Sequence, residues 1–384
     1  MADYETGRGQ QSVVAYPDLD ALPADVRSFL QERTRDRFFL AAGWFDLLLR
    51  YSPPTAQTPR IYVVRAGSDR TVEGVLFTLS AVRAPRHRAR KLMSLTNFYT
   101  MNYSPIVHAD PARAAAAVNA LADAILRDRP SWDVVELRGL SMEAPTTRDM
   151  VRAFQRRGVI VDTYFQFDNW YQPLSGLSAQ AYFDSRPSRL RNTIRRKMRK
   201  VQREHQLKFR LYRQGTELQK GLDDYQVVYE RSWKEPEVYS DFIPSLLRKA
   251  ADEGSLRLGI LTISEEPVAA QIWLLSGNRA TIYKLAYDER YAQLSVGAIL
   301  TKLMFDQAID VDHVVEVDFG AGSEAYKLEW MSACRQVVAL IAFNVRSPCG
   351  LFAAARHFSG RLLRLLSQSI RLLRPASSPP TVDA

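Results

Sequence analysis

Cysteine is scarce in this chain: Cys334 and Cys349 are the only two among 384 residues. Two thiols neither staple a chain of this length nor build a zinc cluster, so a disulfide framework and a cysteine-based metal site are excluded. Histidine is also sparse. His87, His108, His205, His313 and His357 fall in no ligand spacing, so no metal is expected. No uncharged apolar run reaches the roughly 18–20 residues a spanning helix needs. The opening MADYETGRGQQ is too polar for a secretory leader. These absences point to a cytoplasmic protein, and its length points to two domains.

What is present is basic charge, and it is localised. The net charge is +10, yet Arg186 to Arg213 alone hold twelve Lys/Arg against one acid, Glu204. A second stretch, Arg346 to Arg374, holds six Arg and no acid, which leaves a mildly acidic body. This is not the uniformly basic surface of a protein that coats nucleic acid. Like charges crowded on one helix repel one another, so the first stretch calls for a polyanionic partner: coenzyme A phosphates, an anionic lipid head group or tRNA. It lacks the interleaved aromatics of a single-strand platform. At helical period the second stretch puts Arg356, Arg361, Arg364, Arg371 and Arg374 on one arc and its Leu, Ile and Phe on the other. That pattern suits either a terminal helix packed on the body or one lying on an anionic membrane surface, at the inner face of the plasma membrane.

Periodicity predicts the elements. A hairpin (60–83), a helix (111–129), a strand (132–138), a helix (146–157) and a strand (159–171) form the first half. A meander (256–287), a helix (296–309), a strand (314–319), a short helix (324–330) and a strand (335–344) repeat that order in the second. The expected fold is α+β: two tandem domains, each a mostly antiparallel mixed sheet flanked by helices. Residues 1–15 read as disordered, 16–175 and 176–346 as the domains, 347–374 as a basic amphipathic helix and 375–384 as a disordered tail.

Two motifs mislead. Gly320-x-Gly322-x-x-Ala325 follows a strand and matches a dinucleotide fingerprint. The acid such a site needs about 20 residues on is missing, because none lies between Glu329 and Asp383. Ser295, Asp318 and His357 run in hydrolase order, but the first glycine of the nucleophile elbow is absent.

The stretch from Ala280 to Trp330 is different. Tyr283-Lys284, Tyr287-Asp288, Ser295-x-Gly297, Asp318-Phe319-x-x-Gly322 and Tyr326-Lys327-x-x-Trp330 resemble the acetyltransferase domain of the GNAT superfamily. The FemAB-like and CelD/BcsL-like branch, with tandem GNAT-like domains, is the nearest likeness, and LRNTIRRKMRK and Trp44 fit it too. The likeness covers about residues 180–345. It departs from the usual pyrophosphate loop at Val296, where the first Gly should stand. Its implication is an acyl-CoA-dependent N-acyltransferase acting on an amine of a small molecule or of a cell-envelope or exopolysaccharide (cellulose) precursor. Acetyl-CoA would lie against Leu285, Ala286, Tyr287, Ser295, Val296, Gly297 and Ala298. Asp318, Tyr326 and Lys327 would be catalytic, and Trp233, Gln271, Tyr283, Lys284 and Trp330 would bind substrate. Elementary chemistry agrees: a capped helix start with small residues at Gly297 and Ala298 is an anion site. The first half has no such junction, since its helix is entered through Tyr103-Ser104-Pro105. The alternatives are a FemAB-type transferase taking an aminoacyl group from tRNA to a peptidoglycan precursor, and a non-catalytic scaffold in polysaccharide export.

Overall fold

The computed structural model describes residues 2–5, 11–81, 89–322 and 324–372. The first half runs β1 (Ala2–Glu5), β2 (Gln11–Tyr16), α1 (Ala24–Thr34), α2 (Ala42–Tyr51), β3 (Gln57–Ala66), β4 (Thr71–Ala81), β5 (Lys91–Ser94), β6 (Ile106–Val107), α3 (Pro111–Arg127), β7 (Val134–Ser141), α4 (Pro145–Gln155) and β8 (Ile160–Pro173). The second half opens with α5 (Ala179–Asp184), α6 (Ser188–Glu204), β9 (Leu207–Tyr212), α7 (Leu218–Glu230) and α8 (Phe242–Asp252). The meander β10 (Leu256–Ile263), β11 (Glu266–Ser276) and β12 (Arg279–Tyr287) follows, then α9 (Val296–Asp306), β13 (Glu316–Ala321), α10 (Lys327–Trp330), β14 (Ala333–Phe343) and α11 (Pro348–Leu372).

The fourteen strands of the described residues belong to one mixed sheet, ordered β1-β2-β3-β4-β5-β7-β14-β8-β13-β12-β11-β10-β9, with β6 on β4. Two neighbouring pairs are parallel, β5 with β7 and β12 with β13, and the rest are antiparallel. A helical crossover, α3 or α9, joins each parallel pair, as parallel strands require. The predicted topological repeat is therefore present, and the doubly wound parallel sheet that a Rossmann site needs is not. The halves also trade their last strands. β14 inserts between β7 and β8, while β8 reaches across to β13.

One expectation fails at the N-terminus. Residues 1–15 were to be disordered, yet Gln11–Tyr16 is a strand on β3 with Val13, Val14 and Ala15 buried. Three consecutive small apolar residues followed by Tyr16 suffice once a neighbouring strand supplies the ladder. Arg374 and the tail 375–384 lie outside the described residues.

One face of β10–β12 packs against α7, α8 and the first half, around Trp44, Phe242 and Tyr283. The other face packs under α9, with Val296, Ile299, Leu300 and Met304 meeting Trp273, Ile282 and Trp330. Helix α6 closes that second core with Leu190, Ile194 and Val201, spaced four and seven apart on one stripe. Its remaining faces keep the arginines outside.

Candidate active site

Strands β12 and β13 pair at three positions only: Arg279 with Glu316, Ala280 with Val317 and Thr281 with Asp318. Beyond that point β13 follows β8, with a register shift between Asp318 and Ala321. Strand β12 stays on β11 as far as Tyr287. The two strands therefore part, and among the described residues no strand covers the β12 edge from Ile282 to Tyr287. An uncovered edge presents backbone N–H groups to a ligand.

The sequence Asp318-Phe319-Gly320 builds the divergence. Gly320 adopts φ +60°, a left-handed conformation that costs glycine nothing. The Asp318 carboxylate accepts from the Gly320 N–H at 2.9 Å, a local turn that holds the bend. Asp318 thus marks the vertex. Its other contacts are Thr281 Oγ1 at 3.2 Å, Asn169 Nδ2 at 3.4 Å and Arg335 Nη2 at 3.5 Å. Burial raises its pKa, against the downward pull of Arg335. Arg335 is shared: it also reaches Glu316 at 3.0 Å and Asn169 Oδ1 at 2.6 Å.

Tyr326 is half-exposed beyond the vertex, its ring edge on Phe319 at 5.5 Å. No described residue hydrogen-bonds its hydroxyl. Burial lifts its pKa, so the phenol stays protonated and available as a donor. Lys327 corrects the sequence reading. It is buried and donates to Ala321 O at 2.6 Å while pairing with Glu324 at 2.8 Å. An ammonium fixed on the carbonyls that end β13 anchors the loop, and it contacts neither Asp318 nor a free anion.

Helix α9 opens the far side. Ser295 was expected to cap it, but Ser295 sits at φ 56°, ψ 38° and makes no side-chain cap bond. A capping serine needs extended backbone, and here the left-handed turn denies its hydroxyl the geometry. The first-turn amides consequently have no side-chain acceptor, and no acid lies in that turn. Gly297 stands against Tyr287, whose Cδ1 would lie 3.0 Å from a Cβ at this position. Lys197 of α6 donates to Gln293 O at 2.6 Å, which brings the basic helix beside this helix start. The first-half counterpart is closed. Helix α3 begins at Pro111, and the Asp110 carboxylate accepts from Arg113 N at 2.9 Å.

Several residues expected to bind substrate are structural instead. Gln271 is buried beneath α9, donating to Thr301 Oγ1 at 2.7 Å and accepting from Trp273 at 2.9 Å. Trp330 lies in the core, stacked on Phe305 at 5.4 Å. The Val296 side chain points into the same core, so only its backbone faces the opening. Trp233 remains half-exposed, its ring 4.6 Å from Tyr287 at the end of β12. Leu285 is partly buried and Ala286 buried along that strand.

A bulge redirects the other two. The β11–β12 register skips Tyr283, so Tyr283 and Lys284 both turn toward the first half. Tyr283 donates to Tyr99 O at 3.2 Å. Lys284 pairs with Glu237 at 2.5 Å and lies 5.4 Å from the Tyr99 ring centre. Glu237 also accepts from Tyr99 at 2.8 Å and Tyr229 at 2.9 Å. Sequence reasoning named Tyr283 and Lys284 but missed their partners Tyr99, Tyr229 and Glu237, which come from two distant segments. It missed Lys234 as well. Burial lowers the Lys234 pKa, and Lys284 and Lys327 add to the effect while Glu237 and Glu324 oppose it. Lys234 thus feels the charges of both the Lys284–Glu237 pair and the Glu324–Lys327 pair. His357 bonds Asp162, not Asp318, so the hydrolase order corresponds to no triad.

Residues 188–328 match the acetyltransferase (GNAT) domain family. In structure the chain is similar to FemX, at TM-score 0.58 and 11% identity over 84% of this chain and 96% of that one. It is also similar to the C-terminal domain of a putative lysylphosphatidylglycerol synthetase from Agrobacterium fabrum, at TM-score 0.51 and 12% identity over 85% and 96% of the two chains. A conserved protein of unknown function from Bacteroides thetaiotaomicron gives TM-score 0.53 at 12% identity, over 84% and 98%. At such identities the likeness is one of fold. No curated protein matches this chain in sequence.

Proposed function

From a chain with the GNAT-superfamily, FemAB-like fold, we propose an N-acyltransferase that moves an acyl group from coenzyme A to an amine. The acceptor is a small molecule or a cell-envelope or polysaccharide precursor, and the site faces the cytoplasm. One observation carries this reading: β12 parts from β13 beside an α9 start that is uncapped and free of acid. A thioester lying along the open edge would direct its carbonyl at the N–H groups near Leu285–Tyr287, and its pyrophosphate at the amides of 296–298. The amine attacks the carbonyl, its proton passes to the Asp318 carboxylate, and the C–S bond breaks as Tyr326 protonates the departing thiolate. Metal ions have no part in this scheme.

Two experiments bear on it directly. Calorimetry with acetyl-CoA should show Gly297→Trp weakening binding about tenfold or more, because the indole displaces Tyr287 and fills the helix start. Equal binding by both proteins would remove the site. Thiol release over a panel of amines should show Tyr326→Phe lowering kcat about thirtyfold with acyl-CoA affinity unchanged, since a leaving-group acid acts only in the transition state. Full activity in that variant would remove the acid.

A second reading has one observation in its favour. Arg189, Arg196 and Arg199 are exposed along α6 and meet no acid among the described residues. That basic edge beside the α9 start fits the phosphates of an aminoacyl-tRNA, the donor implied by the FemAB resemblance. Transfer that requires charged tRNA and ignores acetyl-CoA would establish it over the first.

A further inference from the structure

The terminal helix α11 meets the sheet through small and polar side chains. Ala354 is buried against Val134, Ile341 and Phe343. One turn on, His357 Nε2 lies 2.8 Å from Asp162 Oδ2, and Arg361 clasps the same carboxylate. These three residues, spaced three and four apart, form one stripe. The adjacent stripe holds Leu351, Phe358 and Leu362, spaced seven and four; Phe358 rests partly on Phe343, ring centres 6.1 Å apart, and the stripe otherwise faces outward. Leu351 is 55% exposed, Leu362 58% and Phe358 39%, and Phe352 beside them is 72% exposed. A helix packed for the sake of its apolar side would be turned the other way. The clasp on Asp162 fixes an orientation that leaves Leu351, Phe352 and Leu362 uncovered among the described side chains.

Charge identifies what covers it. Between Arg346 and Arg374 the chain carries six Arg and no acid. A helix that met a protein surface or solvent would mix acids with its arginines. Positive charge with no acid of its own beside exposed Leu and Phe, with Arg361 alone tied to Asp162 among the described residues, matches an anionic lipid surface. Among the described residues no helix is long and apolar enough to cross a membrane, so the helix lies on the surface rather than through it. We propose that α11 docks the protein on an anionic bilayer, with Leu351, Phe352, Phe358 and Leu362 set into the headgroup boundary. Arg356, exposed on the same helix, would meet lipid phosphates. The proposal makes no assumption about the reaction catalysed.

The test uses the full chain and flotation with phosphatidylcholine vesicles, with and without about a third phosphatidylglycerol. Wild type should bind the anionic vesicles at least about tenfold more tightly than the neutral ones, and lose most of that margin between ~0.1 and ~0.5 M salt. The triple variant Leu351→Glu, Phe352→Glu, Leu362→Glu should fall to the neutral-vesicle level. Its unfolding temperature should be unchanged, since all three side chains are already exposed. Equal binding to both vesicles, or retained binding by the triple variant, would overturn the proposal. So would light scattering that finds a wild-type dimer and a monomeric variant, because a second copy would then be the cover.

Discussion

Asp318→Asn is expected to lower kcat on the order of a thousandfold while leaving acyl-CoA affinity within about twofold. Asparagine is the informative replacement because its carbonyl oxygen can still accept from the Gly320 N–H, now at 2.9 Å from the carboxylate. The turn that parts β12 from β13 is thereby kept, and only the proton acceptor is lost. The pH profile separates the two roles. Burial raises the Asp318 pKa above its ordinary 3.8, so wild-type activity should climb with pH as the carboxylate ionises. That limb should vanish in the variant. Stability should move the opposite way. A carboxyl whose folded pKa is raised stabilises the fold fully below the unfolded value, and that contribution is lost as pH rises through the folded value. The amide is a permanent copy of the neutral form, so the variant should unfold at or above the wild-type temperature at neutral pH. Arg335 keeps Glu316 as a partner at 3.0 Å. Normal turnover in a stable Asp318→Asn protein would reduce Asp318 to the residue that bends β13.

The elements that carry this site were legible because each depends on its own residues. Strand Leu256–Ile263 appears with the predicted ends, and α9 begins at the predicted Val296. Asp318, Tyr287 and Gly297 came from the family resemblance, and the structure puts Asp318 at the last paired position of β12 and β13 and Gly297 against Tyr287. What escaped was decided by distant partners. Strands β8 and β14 read the same whether each stays in its own half or crosses over, and nothing local records the exchange. The bulge at Tyr283 is equally silent: alternation alone would put Tyr283 and Lys284 on opposite faces. Lys327 looked free because lysines are rarely buried, and only its position behind the β13 carbonyls explains its anchoring role. The left-handed Ser295 shows how a local rule fails, since a serine before a helix reads as a cap whatever its backbone angles.

Glu237→Ala should destabilise the protein by about 3 kcal/mol, measured by urea unfolding with the midpoint shifted and the slope unchanged. Glu237 is the one acceptor shared by Lys284, Tyr99 and Tyr229, and it ties the 231–241 loop to the first half through Tyr99. Without it the Lys284 ammonium is left partly buried and unpaired, in the field of Lys234. Removing one partner of such a pair costs more than the pair itself contributes. The double variant Glu237→Ala, Lys284→Met should therefore recover most of the loss, because no stranded charge remains. The pH dependence has a definite sign. Burial pushes the Glu237 pKa up, but the bonds from Lys284, Tyr99 and Tyr229 outweigh it and hold the carboxyl below its ordinary 4.5. A depressed folded pKa contributes stability that is present above the unfolded value and lost as pH falls through the folded one. The gap between wild type and Glu237→Ala should thus be constant at neutral pH and shrink in acid, as pH falls from the ordinary 4.5 through the depressed folded value. A gap that persists unchanged into acid would mean that the loss comes from packing around Tyr99, not from the charge.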